Sequence, residues 1–151
     1  MSSKSLVAEA VKKYGHNREN LMSILQYVYS KQHVLSKEDI QGVAEALDLS
    51  SADVYGTASF YSFLETQERG LNIVRICKSI SCDMKGKQQI IAAVENKLGI
   101  KLGQTSSDKK FSLLEANCLG WCHKGPAMLI NDKAYTELTP EKAVAAIEEN
   151  L

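Results

Sequence analysis

The residues best suited to chemistry in this sequence are four cysteines in two pairs. Cys77 and Cys82 have four residues between them, Cys118 and Cys122 have three, and 35 residues separate the pairs. A thiolate is a soft donor that takes zinc or iron and also enters disulfides, so the compartment decides which chemistry is open. Met1-Ser2-Ser3-Lys4-Ser5-Leu6 runs directly into an amphipathic pattern without an apolar export segment, which predicts a cytoplasmic protein. In a reducing cytosol an even set of cysteines points to metal or redox chemistry. Neither pair is C-x-x-C, which argues against a thioredoxin-type redox couple. Structural zinc uses arms of C-x2–4-C, most often with two residues between. The spacing therefore admits zinc while favouring a binuclear iron–sulfur cluster, in which each iron takes two thiolates.

Both pairs follow predicted strands. Residues 71–76 are rich in β-branched side chains and end on Cys77, and 111–116 form a second such run that leads to Cys118. Neighbouring strands lie about 5 Å apart, so the two cysteine loops would meet at one end of the sheet. That arrangement weighs against four unrelated core cysteines. Gly120 lets the second loop fold closely and turn N–H groups toward sulfur, and Ser79, Ser81 and the first-loop amides would act in the same way. An oxidised cluster with four thiolates carries a charge of about −2, which Lys78, Lys85 and Lys124 would partly offset.

The surrounding pattern predicts an α+β chain that divides once. Residues 1–66 read as a helical bundle, with stripes Leu6/Val7/Ala10/Val11, Leu21/Ile24/Leu25/Val28 and Ile40/Val43/Ala44/Leu47 at helical spacing. Ser36 followed by Asp39 reads as a capping box with the shorter acid. A fourth turn or short helix starts near Ser50 or Ser51. Residues 70–151 read as strand–helix–strand–strand–helix, a compact α/β layer with a small sheet. Its first helix is expected over 85–98, and its last opens at Thr139-Pro140-Glu141.

Several features exclude function classes. The 151 residues carry 18 basic and 18 acidic side chains and no net charge, which gives no basic footprint for a nucleic acid. No apolar run approaches the roughly 20 residues needed to cross a bilayer, so no direct membrane insertion is expected. Neither G-x-G-x-x-G after a strand nor a phosphate-binding G-x-x-x-x-G-K-[ST] occurs, so a nicotinamide or nucleotide would have to sit on a partner. Trp121, between two cysteines, would shield sulfur, dock a partner or simply pack; His123 reads as a solvated side chain in preference to a proton-coupled neighbour or an alternative ligand. His16 and His33 lack companions at ligand spacing. Tyr55, Phe60, Tyr61 and Phe63 read as core filling at the domain junction in preference to a docking surface.

With these residues in view, the sequence resembles the thioredoxin-like [2Fe–2S] ferredoxin family, which includes small subunits of NADH:quinone oxidoreductases, NAD-linked hydrogenases and formate dehydrogenases. The resemblance runs over nearly the whole chain: the helical N-terminal part, Gly56-Thr57-Ala58-Ser59-Phe60-Tyr61, both cysteine loops and Leu138-Thr139-Pro140-Glu141-Lys142. The stretch from Cys118-Leu119-Gly120-Trp121-Cys122 through Gly125-Pro126-Ala127-Met128 is its most specific part.

The resemblance implies a thioredoxin-like domain holding one [2Fe–2S] cluster on Cys77, Cys82, Cys118 and Cys122, in preference to a zinc-stabilised assembly module without a redox role. It implies a subunit with no catalytic site of its own, fastened through its helical part to a larger flavoprotein that carries FMN and NAD(H). Lys78-Ser79-Ile80-Ser81 lacks the Thr-Pro common before the second ligand in respiratory relatives. Together with Gly-Pro-Ala-Met after the second loop, this favours a soluble, electron-bifurcating [FeFe]-hydrogenase as the catalytic partner. A respiratory complex and a formate dehydrogenase are the alternatives.

Overall fold

A computed structural model describes residues 3–151; Met1 and Ser2, where the expectation about the N-terminus begins, lie outside them. The chain divides into two compact units between Glu68 and Arg69.

The first unit is helical. It contains α1 (Ser3–Tyr14), a 3-10 turn over Arg18–Asn20, α2 (Leu21–Gln32), α3 (Lys37–Leu47) and α4 (Ser51–Phe60). The predicted stripes form its core: Ala10, Ile24, Leu25, Val28, Val43, Val54 and Ala58 are wholly out of water. Helix ends follow their local chemistry. Gly15 takes φ +93° after α1, and its N–H returns to Val11 O at 2.7 Å. The capping box is present: Asp39 N–H donates to Ser36 Oγ at 3.1 Å, and Ser36 N–H donates to Asp39 Oδ2 at 2.8 Å. Asp39 is fully buried and accepts also from the Ser36 hydroxyl and from Gln32 Nε2, so its carboxylate ties α2 to the start of α3. Ser36→Ala should therefore cost about 1–2 kcal/mol, the upper part of the range for lost caps, read as a lowered urea midpoint with an unchanged slope.

The second unit holds the sheet. Its elements are β1 (Asn72–Cys77), α5 (Ile80–Met84), α6 (Lys87–Leu98), β2 (Phe111–Ala116), β3 (Met128–Ile130), β4 (Lys133–Tyr135) and α7 (Pro140–Glu148). The strand order is β2-β1-β3-β4, with β1 parallel to β2 and antiparallel to β3, and β3 antiparallel to β4. Period-two alternation places Val74, Ile76, Phe111, Leu113, Met128 and Ile130 in one cluster with Ile90 and Val94 of α6 and Ala143, Ala146 and Ile147 of α7. Neither large core contains a cysteine. Cys77 and Cys82 form a separate small cluster with Ala127, against which Leu119 packs.

One boundary differs from the sequence expectation. The helix expected over 85–98 is α6, which starts two residues later, at Lys87, and a separate one-turn helix, α5, ending at Met84, precedes it. Gly86 lies between them at φ +94°, a conformation no helix passes through. The unexpected element is α5, which makes the first cysteine loop a helical turn carrying Cys82.

Candidate metal centre

Cys77 is the last residue of β1, in register with Ala116 at the end of β2. Its N–H donates to Ala127 O at 3.1 Å and the next N–H, of Lys78, to Ala116 O at 2.9 Å, so the chain leaves the sheet still joined to both neighbouring segments. Ser79 then caps α5: its carbonyl accepts from Cys82 N–H at 3.1 Å and Asp83 N–H at 3.0 Å. That turn points Cys82 fully out of solvent.

The second pair arrives from β2. Cys118 follows the strand end, Gly120 reverses the chain at φ +86°, and Cys122 opens a 3-10 turn over Cys122–Lys124. Gly120 N–H lies 3.4 Å from Cys118 Sγ, the amide-to-sulfur contact expected of it, and Cys118 Sγ lies 3.1 Å from Cys122 Sγ. All four cysteines are free thiols; Cys77 and Cys82 are buried, Cys122 is partly covered and Cys118 is exposed.

The two loops meet. Burial acts to raise the Cys77 thiol, but hydrogen bonds from the Ser79 hydroxyl and amide, from the Leu119 amide and from Cys82 together hold it below the ordinary thiol value. The Leu119 amide belongs to the second loop, so that loop reaches the first cysteine. Cys122 is pushed the other way, chiefly by its hydrogen bond with Cys118, then by burial, then by the charges of Cys118, Cys77 and Cys82. Every other thiol acts on this one. Four sulfurs so close resist joint ionisation unless cations sit among them, which fits a metal-binding donor set. Among the described residues, no three Cys, His, Asp or Glu side chains gather around the position of a single ion. The four thiols come as one pair on each loop.

Backbone from beyond the second pair closes the site. A Cβ on Gly125 would lie 3.1 Å from Cys82 Sγ and 3.5 Å from Lys85 Cδ, so glycine lets the loop pass the buried sulfur without crowding it. Nothing in the residue pattern signals this contact, which joins segments over 40 residues apart. The Gly125-Pro126 bond is cis. Lys85 Nζ donates to Cys122 O at 3.1 Å and lies 3.4 Å from His123 O, so its charge sits on carbonyls of the second loop. Trp121 is 38% exposed and stacks on His123 with ring centroids 6.0 Å apart.

The aromatic series corrects an expectation. Tyr55, Phe60, Tyr61 and Phe63 are 53%, 79%, 48% and 46% exposed, so they do not fill a core. Val54 and Ala58 take the buried face of α4, leaving Tyr55 and Phe60 on the other side.

The chain belongs to the thioredoxin-like [2Fe–2S] ferredoxin family, whose description it matches over residues 7–151. Membership brings one [2Fe–2S] cluster as cofactor, and the α+β architecture is the one the resemblance implied. The chain is 40% identical over 141 residues to an NADH-quinone oxidoreductase subunit of Buchnera aphidicola subsp. Acyrthosiphon pisum, covering 93% of this chain and 87% of the relative. It is 38% identical over 135 residues to the like-named protein of Escherichia coli K12, covering 89% and 81%. The fold also matches an NAD+-reducing [NiFe]-hydrogenase in its H2-reduced state, with a TM-score of 0.77 at 20% identity. That match covers 89% of this chain but only 23% of the hydrogenase chain. Among the described residues, no helix is long and apolar enough to cross a membrane.

Proposed function

We propose that Cys77, Cys82, Cys118 and Cys122 ligate the cluster and that the chain passes single electrons between it and the FMN of a larger NAD(H)-binding subunit. The observation that carries this reading is the meeting of the two cysteine loops, where Lys85 Nζ donates to Cys122 O at 3.1 Å and a Cβ on Gly125 would lie 3.1 Å from Cys82 Sγ and 3.7 Å from Cys122 O. When bound, the cluster supplies a one-electron redox centre. The chain's own residues supply burial of Cys77 and Cys82, amides aimed at sulfur, and a rim at Cys118 and Trp121 open to a partner. The absence of a dinucleotide motif and the names of the relatives, which are those of subunits, support placing FMN and NAD(H) on that partner.

In this reading the chain divides its labour, with 1–66 for attachment and 70–151 for the cluster. The exposed aromatics support an attachment role, since aromatic side chains dominate interface energetics. The double substitution Phe60→Asp with Tyr61→Ser should lower recovery of the large flavoprotein with the tagged chain by about tenfold or more, the loss expected from a central hot spot. The chain's own melting should barely move. Undiminished recovery would remove this face from the interface.

Two terminal partners have specific support. The first-loop sequence Lys78-Ser79-Ile80-Ser81 and the Gly125-Pro126-Ala127-Met128 continuation favour an electron-bifurcating [FeFe]-hydrogenase. The names of the relatives favour a quinone-reducing complex. The purified complex separates them: hydrogen reduces NAD+ in the first case, and NADH reduces quinone in the second.

A further inference from the structure

Lys85 closes α5 with its backbone and spans to the other cysteine loop with its side chain. Its N–H donates to Cys82 O at 3.2 Å, while its Nζ donates to Cys122 O at 3.1 Å and lies 3.4 Å from His123 O, 37 and 38 residues away in sequence. The stem between these ends runs past Gly125, whose added Cβ would lie 3.5 Å from Lys85 Cδ. One side chain therefore starts beside the buried ligand of the first loop and ends on the carbonyl of a ligand in the second. The second loop has other backbone supports: the Leu119 amide bonds Cys77, Gly120 N–H lies 3.4 Å from Cys118 Sγ, and Lys124 N–H donates to Trp121 O at 2.9 Å. Its exit is held where Glu137 N–H donates to Lys124 O at 2.7 Å and Leu138 N–H to Pro126 O at 3.2 Å. Lys85 is the side chain that reaches it from the first loop.

We propose that Lys85 is a positioning residue that straps the two cysteine turns together, holding the second pair in place before metal arrives and slowing its release afterwards. The inference rests on the four cysteines being the ligands, but the strap itself is a property of the polypeptide. A charge acting at a distance would tune the cluster's potential and leave loop mobility alone; a strap changes loop mobility.

The full-length chain is prepared as wild type, Lys85→Met and Lys85→Arg, each with cluster and cluster-free. Lys85→Met keeps the stem but loses the donors; Lys85→Arg keeps charge and donors. Lys85 is solvent-exposed, so the fold should survive both changes. In the cluster-free chain, amide exchange across 119–125 should be roughly fivefold faster in Lys85→Met, the factor that one ordinary hydrogen bond represents. Iron release from the loaded chain to a chelator should accelerate by a similar factor. Lys85→Arg should restore both toward wild type. Unchanged exchange and unchanged release in Lys85→Met would overturn the proposal, as would a shifted midpoint potential without either change. If wild-type protein holds no iron, the ligand reading fails while the exchange measurement still decides the strap.

Discussion

Cys82→Ser should empty the site and leave the chain folded. Cys82 is wholly buried, fixed by the α5 turn and packed beneath Gly125, so neither water nor a neighbouring side chain has room to take the place of its sulfur. A serine hydroxyl is a harder donor that ionises far less readily than a thiol, and it would sit in the same dry position. Removing mere hydrogen-bonding neighbours of metal ligands costs about 10–100-fold in affinity, so losing a ligand should cost at least that. Iron per chain should fall to less than about a tenth of wild type after desalting. The exposed Cys118 makes a useful contrast, because solvent reaches it. Cys118→Ser should retain more iron than Cys82→Ser. Both variants should fold, since the helical core and the sheet core contain no cysteine. Circular dichroism of the cluster-free proteins checks that point.

Gly70→Ala should be the most damaging single-atom change to stability. A Cβ there would lie 2.6 Å from the carbonyl carbon, 2.7 Å from the nitrogen and 2.9 Å from the Cα of Phe111, all main-chain atoms that cannot swing aside. The same residue's N–H donates to Ser112 Oγ at 2.8 Å, and that buried hydroxyl also bonds Thr105 Oγ1 at 2.7 Å. Relieving the overlap pushes the start of β2 away from the segment before β1 and breaks this small network. A cost of about 2–4 kcal/mol follows from overpacking with loss of a buried hydrogen bond. Leu71→Ala, next in the chain, is the control. Leu71 is 82% exposed, and its loss should stay within about 0.5 kcal/mol. Chemical denaturation of both variants, monitored on the sheet unit, tests the contrast. Equal midpoints would show that the close approach at Gly70 is not tight.

How much was legible in advance depended on the range of the interaction. The Ser36/Asp39 box, the β-branched runs ending at Cys77 and before Cys118, and the Thr139-Pro140 helix start are local, and local chemistry is written in adjacent residues. Cysteine spacing with strand ends was enough to expect the two loops together, because parallel neighbours in a small sheet end side by side. What sequence could not reveal was which residues meet across long separations. Gly125 against Cys82, Gly70 against Phe111 and Lys85 on the second loop each join distant segments, and nothing in a glycine or lysine announces its partner. The aromatic series misled for a different reason. Tyr55, Phe60, Tyr61 and Phe63 are apolar enough to fill a core, yet Val54 and Ala58 already occupy the inward face of α4. Hydropathy alone does not say which apolar residues a core has room for.

The central claim is that two pairs of thiols hold two bridged irons. Metal and acid-labile sulfide analysis of the anaerobically purified wild-type chain, combined with electron paramagnetic resonance after reduction, tests it most directly. The account predicts two irons and two sulfides per chain, with the signal of one unpaired electron in the reduced protein. One zinc per chain, with no sulfide and no such signal, would contradict it.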